Sequence, residues 1–88
     1  MTFRVFLHLK AAKSLEKLQQ SIQDRVKNSL RELEPTPEKG NHLKPSNFWR
    51  LRIGDYRAIY EIDRAHNRIV VLYIGQRKNV YDEFSKLL

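Results

Sequence analysis

The sequence predicts an α+β protein: a compact single domain over residues 1–88, ordered β-α-α-β-β-β-α, with an antiparallel sheet and two N-terminal helices packed on one face. Two observations predict this class. An alternating segment at the N-terminus gives way to a helical apolar period from Ala11. Three β-rich segments then follow one another closely in the second half of the chain, two of them around Gly54-Asp55.

The first element is a strand within residues 2–9. Phe3, Val5 and Leu7 alternate with more polar neighbours, so one side of the strand is expected to be buried.

The helical region follows this strand. Its apolar positions recur at helical spacing, and they are Ala11, Leu15, Leu18, Ile22, Val26, Leu30 and Leu33. Ser21 followed by Asp24 resembles a capping box, so we expect two helices, or one helix with a sharp break near Gln20-Ser21. Pro35 and Pro37 end the helical region, because proline cannot continue a helix.

The second half of the chain reads as strands after a loop, Pro35–Asn47. Phe48–Ile53 and Tyr56–Ile62 flank Gly54-Asp55, and a glycine in the first position of a two-residue link favours a type II′ hairpin. Ile69–Gly75 is almost entirely apolar, as in a strand covered on both faces.

A last helix is expected after this strand. Asn79 can cap it, and Val80, Phe84 and Leu87 share one side.

The composition limits the classes of function. The chain carries 17 Lys and Arg against 10 Asp and Glu, a net charge of +7, which favours a nucleic acid over an anionic membrane or an acidic protein. No cysteine is present, and the three histidines show no ligand spacing, so we expect no disulfide, metal or cofactor. The sequence shows no secretion signal and no apolar run of about 20 residues, so we expect a soluble, cytoplasmic protein.

The predicted hairpin brings arginines together. If Ile53 pairs with Tyr56, then Arg52 lies opposite Arg57, and Arg50 shares their face. Such a face is either a solvated surface with splayed side chains or a phosphate-binding surface. The planar fork of arginine suits phosphate, and no acidic residue joins the three on that face near the turn, so we favour phosphate binding.

Other residues extend or flank this face. Arg77 and Lys78 follow the last strand at the same end of the sheet as the hairpin turn. Tyr81 lies one helical turn after Arg77, and it either packs on the sheet or presents its ring to a base. Tyr73 is open to both interpretations, whereas Trp49, Tyr56 and Tyr60 are expected in the core, and His42 is expected on the surface.

Two segments together resemble the RelE/ParE toxin superfamily: FWRLRIGDYRAIY over residues 48–60 and IGQRKNVY over residues 74–81. The helical pair, the proline-containing loop and Leu43-Lys44 fit the same pattern, so the resemblance covers nearly the whole chain. It implies the RelE-like fold and a toxin of a type II toxin–antitoxin system, neutralised by a short acidic antitoxin.

The resemblance to RelE also implies an activity. Such toxins enter the ribosomal A site and cut messenger RNA without a metal, through attack of a ribose 2′-hydroxyl on the adjacent phosphate. By the same resemblance, Arg57 stabilises the reacting phosphate, Arg77 acts there or at the leaving oxygen, and Tyr81 orients a nucleotide. Arg50 and Arg52 complete the catalytic set, and Lys44 and Lys78 are expected to bind RNA.

Position 50 departs from the RelE pattern, in which lysines often stand at positions 50 and 52. Arginine is effectively never deprotonated, so Arg50 is a poor general base. We therefore expect catalysis to depend mainly on positioning and charge stabilisation. The alternative is a ParE-like toxin that inhibits a protein such as DNA gyrase by binding, without ribonuclease activity.

Overall fold

A computed structural model describes residues 3–76 of the chain. Its helices are α1 (Leu9–Glu16), α2 (Gln20–Arg31) and a short 3₁₀ helix, Pro37–Lys39. Its strands are β1 (Arg4–Leu7), β2 (Asn41–His42), β3 (Phe48–Ile53), β4 (Tyr56–Asp63) and β5 (Arg68–Gln76). The expected final helix, with its cap at Asn79, lies outside the described residues.

The five strands form one sheet in the order β1-β5-β4-β3-β2. β1 pairs with β5 in parallel, Val5 opposite Ile69, whereas the other three pairings are antiparallel. The expected α+β class is confirmed, but the sheet that was expected to be antiparallel is mixed, because β1 pairs in parallel with β5. The alternation of side chains places residues on faces but carries no information about the direction of the neighbouring strand.

The two helices are separate, as expected, but the proposed capping box is not formed. Gln19 is the N-cap of α2 and makes no capping hydrogen bond through its side chain, so Ser21 lies inside the first turn. Asp24 is engaged instead as an acceptor, 2.9 Å from the Gln20 side-chain amide. At the preceding helix, His8 Nδ1 accepts a hydrogen bond of 3.3 Å from the Lys10 backbone N–H.

The hairpin is confirmed with its register. Ile53 pairs with Tyr56, and Arg52 pairs with Arg57. Gly54 has φ +57°, the left-handed conformation that the first position of a type II′ turn requires and that glycine adopts without a steric cost.

The loop before β3 is more ordered than the sequence indicates, because it holds β2 against β3. The Tyr60 hydroxyl donates to Pro37 O at 2.7 Å and accepts from Gly40 N–H at 3.1 Å. A Cβ atom on Gly40 would lie 2.5 Å from Arg50 O, so only glycine permits this approach. This contact between the loop and the sheet, centred on Tyr60, keeps β2 beside β3.

The main core lies between the helices and one face of the sheet. Its buried side chains, all below a tenth exposed, are Ala11, Leu15, Val26, Leu30, Leu33, Leu51, Ile53, Ala58, Tyr60, Ile69, Val71 and Ile74. Trp49 packs against this cluster from a partly buried position, and Tyr56 is also partly buried. The expectation that the helices pack on one face is confirmed. No helix among residues 3–76 is both long enough and apolar enough to cross a lipid bilayer.

Candidate nucleic-acid interface

The sheet face opposite the helices carries Arg50, Arg52, Arg57, Ile59 and Tyr73, and we call it the arginine face. Strand alternation places Arg50 and Arg52 on this side of β3, with Ile59 and Arg57 opposite them on β4. The clustering of three arginines that the hairpin predicts is therefore present in the structure.

The three arginines differ in burial. Arg52 is exposed, Arg50 is partly buried, and Arg57 is only 7% exposed. A guanidinium stays charged at any physiological pH, and burying it is costly unless its donors are engaged. A solvated face with splayed side chains therefore does not describe Arg57, which is held among its neighbours in a central strand.

An apolar patch adjoins the arginines. Ile59 is fully buried and Tyr73 is 3% exposed, and Leu43, Phe48 and Leu72 pack against them. The open question about Tyr73 is thereby answered, since its ring packs within the face and is not displayed to solvent. Apolar surroundings lower the local dielectric constant and strengthen the field of a cation beside them.

Two lysines lie at the margin of this face. Lys44 is exposed and follows Leu43, which packs on the apolar patch. Lys10 Nζ, from α1, lies 6.0 Å from the centroid of the Tyr73 ring. Lys10 could not be predicted from the sequence pattern, because its approach to Tyr73 depends on the parallel placement of β1 along β5. Arg77, Lys78 and Tyr81 lie outside the described residues.

The charges among the described residues are segregated. The ion pairs join Lys39 to Glu32, Arg64 to Glu38, and both His66 and Arg68 to Asp63. All of them involve the loop after α2 or the β4–β5 turn, at the end of the sheet away from the hairpin. These four ion pairs of residues 3–76 therefore lie at the end of the sheet away from the hairpin.

A groove of about 560 Å³ lies beside Trp49 and Arg64, at the end of the sheet that carries these ion pairs. The hydrogen bond from Arg68, more than the contact with His66, holds the pKa of the Asp63 carboxyl below its ordinary value of 3.8. The cations of this groove, Arg64 and Arg68, are engaged by Glu38 and Asp63, which makes it a poor anion site.

The three histidines are exposed and separate, as expected. His42 stacks on Trp49 with ring centroids 4.7 Å apart, and its Nε2 lies 2.7 Å from Ser46 O. Within residues 3–76, no group of three or more His, Asp or Glu side chains is arranged to hold a metal ion.

Comparison of the sequence with protein-family models assigns the chain to a known class. The model for the ParE toxin of type II toxin–antitoxin systems, parDE, matches residues 5–81. The fold is accordingly that of a type II toxin. The chain belongs to the ParE toxin family within the RelE/ParE superfamily. No match was found among curated protein sequences.

Solved structures agree with this fold. The RelBE2 toxin–antitoxin complex of Mycobacterium tuberculosis is 27% identical with a TM-score of 0.81, covering 88% of this chain and 100% of that chain. The RelE–RelB complex of Pyrococcus horikoshii is 30% identical with a TM-score of 0.75, covering 88% and 97%. A free RelE mutant of Escherichia coli, 22% identical, has a TM-score of 0.81 over 100% and 99% of the two chains, and it supports the fold alone.

Proposed function

We propose that this toxin is a metal-independent endoribonuclease that cuts messenger RNA in the ribosomal A site. The observation that carries the proposal is the pairing of Arg52 with Arg57 across β3 and β4, on the same face as Arg50. Like charges opposite each other in a ladder are unfavourable, so the pair has no value for folding by itself. A polyanion that enters between them removes the repulsion.

The reaction needs charge stabilisation more than redox or metal chemistry. A ribose 2′-hydroxyl loses its proton and attacks the adjacent phosphorus, and the 5′-oxygen leaves and takes up a proton. The products carry a 2′,3′-cyclic phosphate and a 5′-hydroxyl. Negative charge accumulates on the pentacoordinate phosphate, where fixed cationic donors lower the barrier.

The residues of the arginine face fit different parts of this reaction. Arg57, held in a buried position, is a preorganised donor for the phosphate oxygens, since it needs little rearrangement when charge develops. The exposed Arg52 and the partly buried Arg50 bind the backbone on either side. We extend this assignment to Arg77, which would act at the leaving oxygen, and to Tyr81, which would orient a nucleobase.

RNA binding outside the reacting phosphate is assigned to Lys44 and Lys78. Lys44 adjoins the apolar patch through Leu43. None of the arginines can accept the 2′-hydroxyl proton, so the rate depends on positioning and charge stabilisation, with a base supplied by another group or by ribosomal RNA.

The proposed partners are the ribosome with its message and an acidic antitoxin, and the cytoplasm is the compartment where they meet. The two relatives at 27% and 30% identity are toxin–antitoxin complexes, which supports the antitoxin. The exposed side chains of Phe6 and Leu9, at the β1 edge, supply an apolar docking surface of the kind a partner covers.

The test is cleavage of messenger RNA with and without ribosomes, in the presence of a chelator, followed by mapping of the cut ends and their termini. We expect cuts only on ribosome-bound message, with 2′,3′-cyclic phosphate ends, unchanged by the chelator. Intact message under all these conditions would contradict the proposal.

The second candidate is a toxin that inhibits DNA gyrase by binding, and the ParE description of the matching family favours it. A supercoiling assay separates the two functions. Inhibition of gyrase by the purified protein, with the message left intact, would select this candidate over the ribonuclease.

A further inference from the structure

Arg25 on α2 lies against the tip of the hairpin, although the sequence gives no reason to connect the two. A Cβ atom built on Gly54 would lie 3.2 Å from each of Arg25 Cζ, Nη1 and Nη2. Within the guanidinium plane, the point equidistant from these three atoms lies much closer to them than 3.2 Å. The Cβ position therefore lies off that plane, over one of its faces. One face of the guanidinium is therefore turned toward the place that a side chain at position 54 would occupy.

This position orients the donors of Arg25. The N–H bonds of a guanidinium lie in its plane, so a contact over its face leaves the donors directed to the sides. Gly54 favours the contact in two ways, since its φ of +57° disfavours most side chains and its missing side chain leaves room for the guanidinium. The planar fork of Arg25 therefore lies at the hairpin tip.

The charges around Arg25 leave this fork available. Arg25 is exposed, and among residues 3–76 no carboxylate forms an ion pair with it. Asp24 accepts a hydrogen bond from Gln20, and Asp55, in the same turn, makes none of the described ion pairs. Arg52, two residues before Gly54, presents a second exposed cation on the other side of the turn.

We propose that Arg25 is an RNA-phosphate contact that continues the arginine face around the hairpin tip onto α2. This rests on the proposed ribonuclease function and adds a binding residue to it. An RNA backbone leaving the arginine face past Arg52 meets Arg25 next, and a planar fork binds phosphate oxygens in pairs. A protein partner is disfavoured at this tip, because the exposed apolar side chains Phe6 and Leu9 lie away from it, beside the edge strand β1.

The test measures binding of the purified toxin to a short single-stranded RNA carrying 2′-O-methyl groups, which cannot be cleaved, by fluorescence anisotropy over a range of salt. The variants are Arg25→Gln and, as a matched control, Arg31→Gln, which removes the same charge from an exposed position on the same helix. Thermal melts establish that both are folded. A third variant, Arg25→Lys, keeps the charge but loses the planar fork.

We expect Arg25→Gln to bind more weakly, with a plot of log K against log salt less steep by about 0.7. Wild type then loses about threefold more affinity than this variant between 50 and 200 mM salt. Arg31→Gln keeps the wild-type slope, and Arg25→Lys keeps the slope with lower affinity. Cleavage of message on ribosomes falls with Arg25→Gln and is unchanged with Arg31→Gln.

Equal behaviour of the two glutamine variants would overturn the assignment of Arg25 while leaving the ribonuclease intact, provided that wild type still cuts. A wild type that neither binds RNA nor cuts message would overturn both proposals. If Arg25→Gln weakens the antitoxin complex and leaves RNA binding unchanged, the hairpin tip is a protein-binding site and the RNA assignment is wrong.

Discussion

At the scale of single residues, the most informative position is Arg57. Its charge and its place in an arginine-rich segment indicate a surface residue, yet it is only 7% exposed. It lies in β4, a central strand, between Arg52 on β3 and Gly75 on β5, with the buried Ile59 on the same face. Two cations opposite each other in a ladder are not favoured by folding alone, which indicates a functional reason for Arg57.

This leads to a prediction for Arg57→Met, which keeps most of the side-chain volume and removes the charge. Arg57 faces Arg52 across the ladder, so relief of this like-charge contact should leave stability unchanged or raise it by up to about 1 kcal/mol. We expect a free energy of unfolding equal to or above wild type. Loss of a donor at the reacting phosphate should slow cleavage at least about 100-fold.

The measurements are urea denaturation and single-turnover cleavage on programmed ribosomes. Arg64→Met is the control, since its exposed ion pair with Glu38 should contribute less than about 1 kcal/mol and its loss should leave cleavage unchanged. A strongly destabilised Arg57→Met that cleaves at the wild-type rate would show that Arg57 is structural.

At the scale of secondary-structure elements, local chemistry explains which parts of the fold were predictable. β3 was predicted with its observed bounds, and the register with β4 was predicted residue by residue, because Gly54 fixes a two-residue turn. β2 was missed, since two residues at a sheet edge show no period. It depends on the distant Tyr60 hydroxyl, which no local pattern reveals.

The site was predictable to the same extent. The arginine face follows from the hairpin register, whereas the positions of Lys10 and Arg25 depend on how helices pack across the sheet. The expected capping box is not formed, because α2 begins at Gln20, one residue before Ser21. Asp24 accepts a hydrogen bond from the Gln20 side chain instead.

The contact between Tyr60 and the loop supports a prediction at this scale. Tyr60→Phe leaves Pro37 O and Gly40 N–H without their partner and should lower the free energy of unfolding by about 1–3 kcal/mol. Burial raises the pKa of the Tyr60 phenol above its ordinary value of 10.0, although the hydrogen bond from Gly40 acts in the opposite direction. Since the folded pKa is raised, this contribution is complete below pH 10.0 and is lost as the pH rises toward the folded value.

Urea titrations on both sides of pH 10.0 measure this effect, with Tyr56→Phe as the control for removal of a phenol from the same strand. The difference between wild type and Tyr60→Phe should shrink at the alkaline end, and Tyr56→Phe should leave the hydrogen bonds to Pro37 O and Gly40 N–H in place. A constant difference across this range would contradict the role assigned to the Tyr60 hydroxyl.

At the scale of the whole molecule, exposed apolar side chains and arginines lie at different strands of one sheet. Phe6 is 45% exposed and Leu9 is 66% exposed, both beside the edge strand β1, whereas the arginines lie on β3 and β4. An antitoxin that covers the β1 edge can therefore use apolar contacts that the arginines do not offer.

We therefore expect Phe6→Ser with Leu9→Ser to weaken the antitoxin complex at least about tenfold, which is about 1.4 kcal/mol. Stability should change little, because exposed side chains contribute little to folding. Calorimetric titration with the acidic product of the neighbouring reading frame measures the affinity, and Lys13→Ser on the exposed side of α1 is the control. An unchanged affinity in the double variant, beside intact cleavage, would exclude this edge as the docking surface.

The parallel pairing of β1 with β5 has a consequence for how the toxin is made. Arg4 pairs with Arg68, so the first strand to be synthesised finds its partner only when the last described strand has left the ribosomal exit tunnel. Contacts this distant along the chain form late, because the intervening segment must be ordered first. Premature termination before β5 thus leaves β1 without its neighbouring strand. The helices then lack the buried β5 side chains on which they pack. A cell that aborts synthesis of this protein is left with an unfolded fragment that proteases remove, and toxicity begins only with a nearly complete chain.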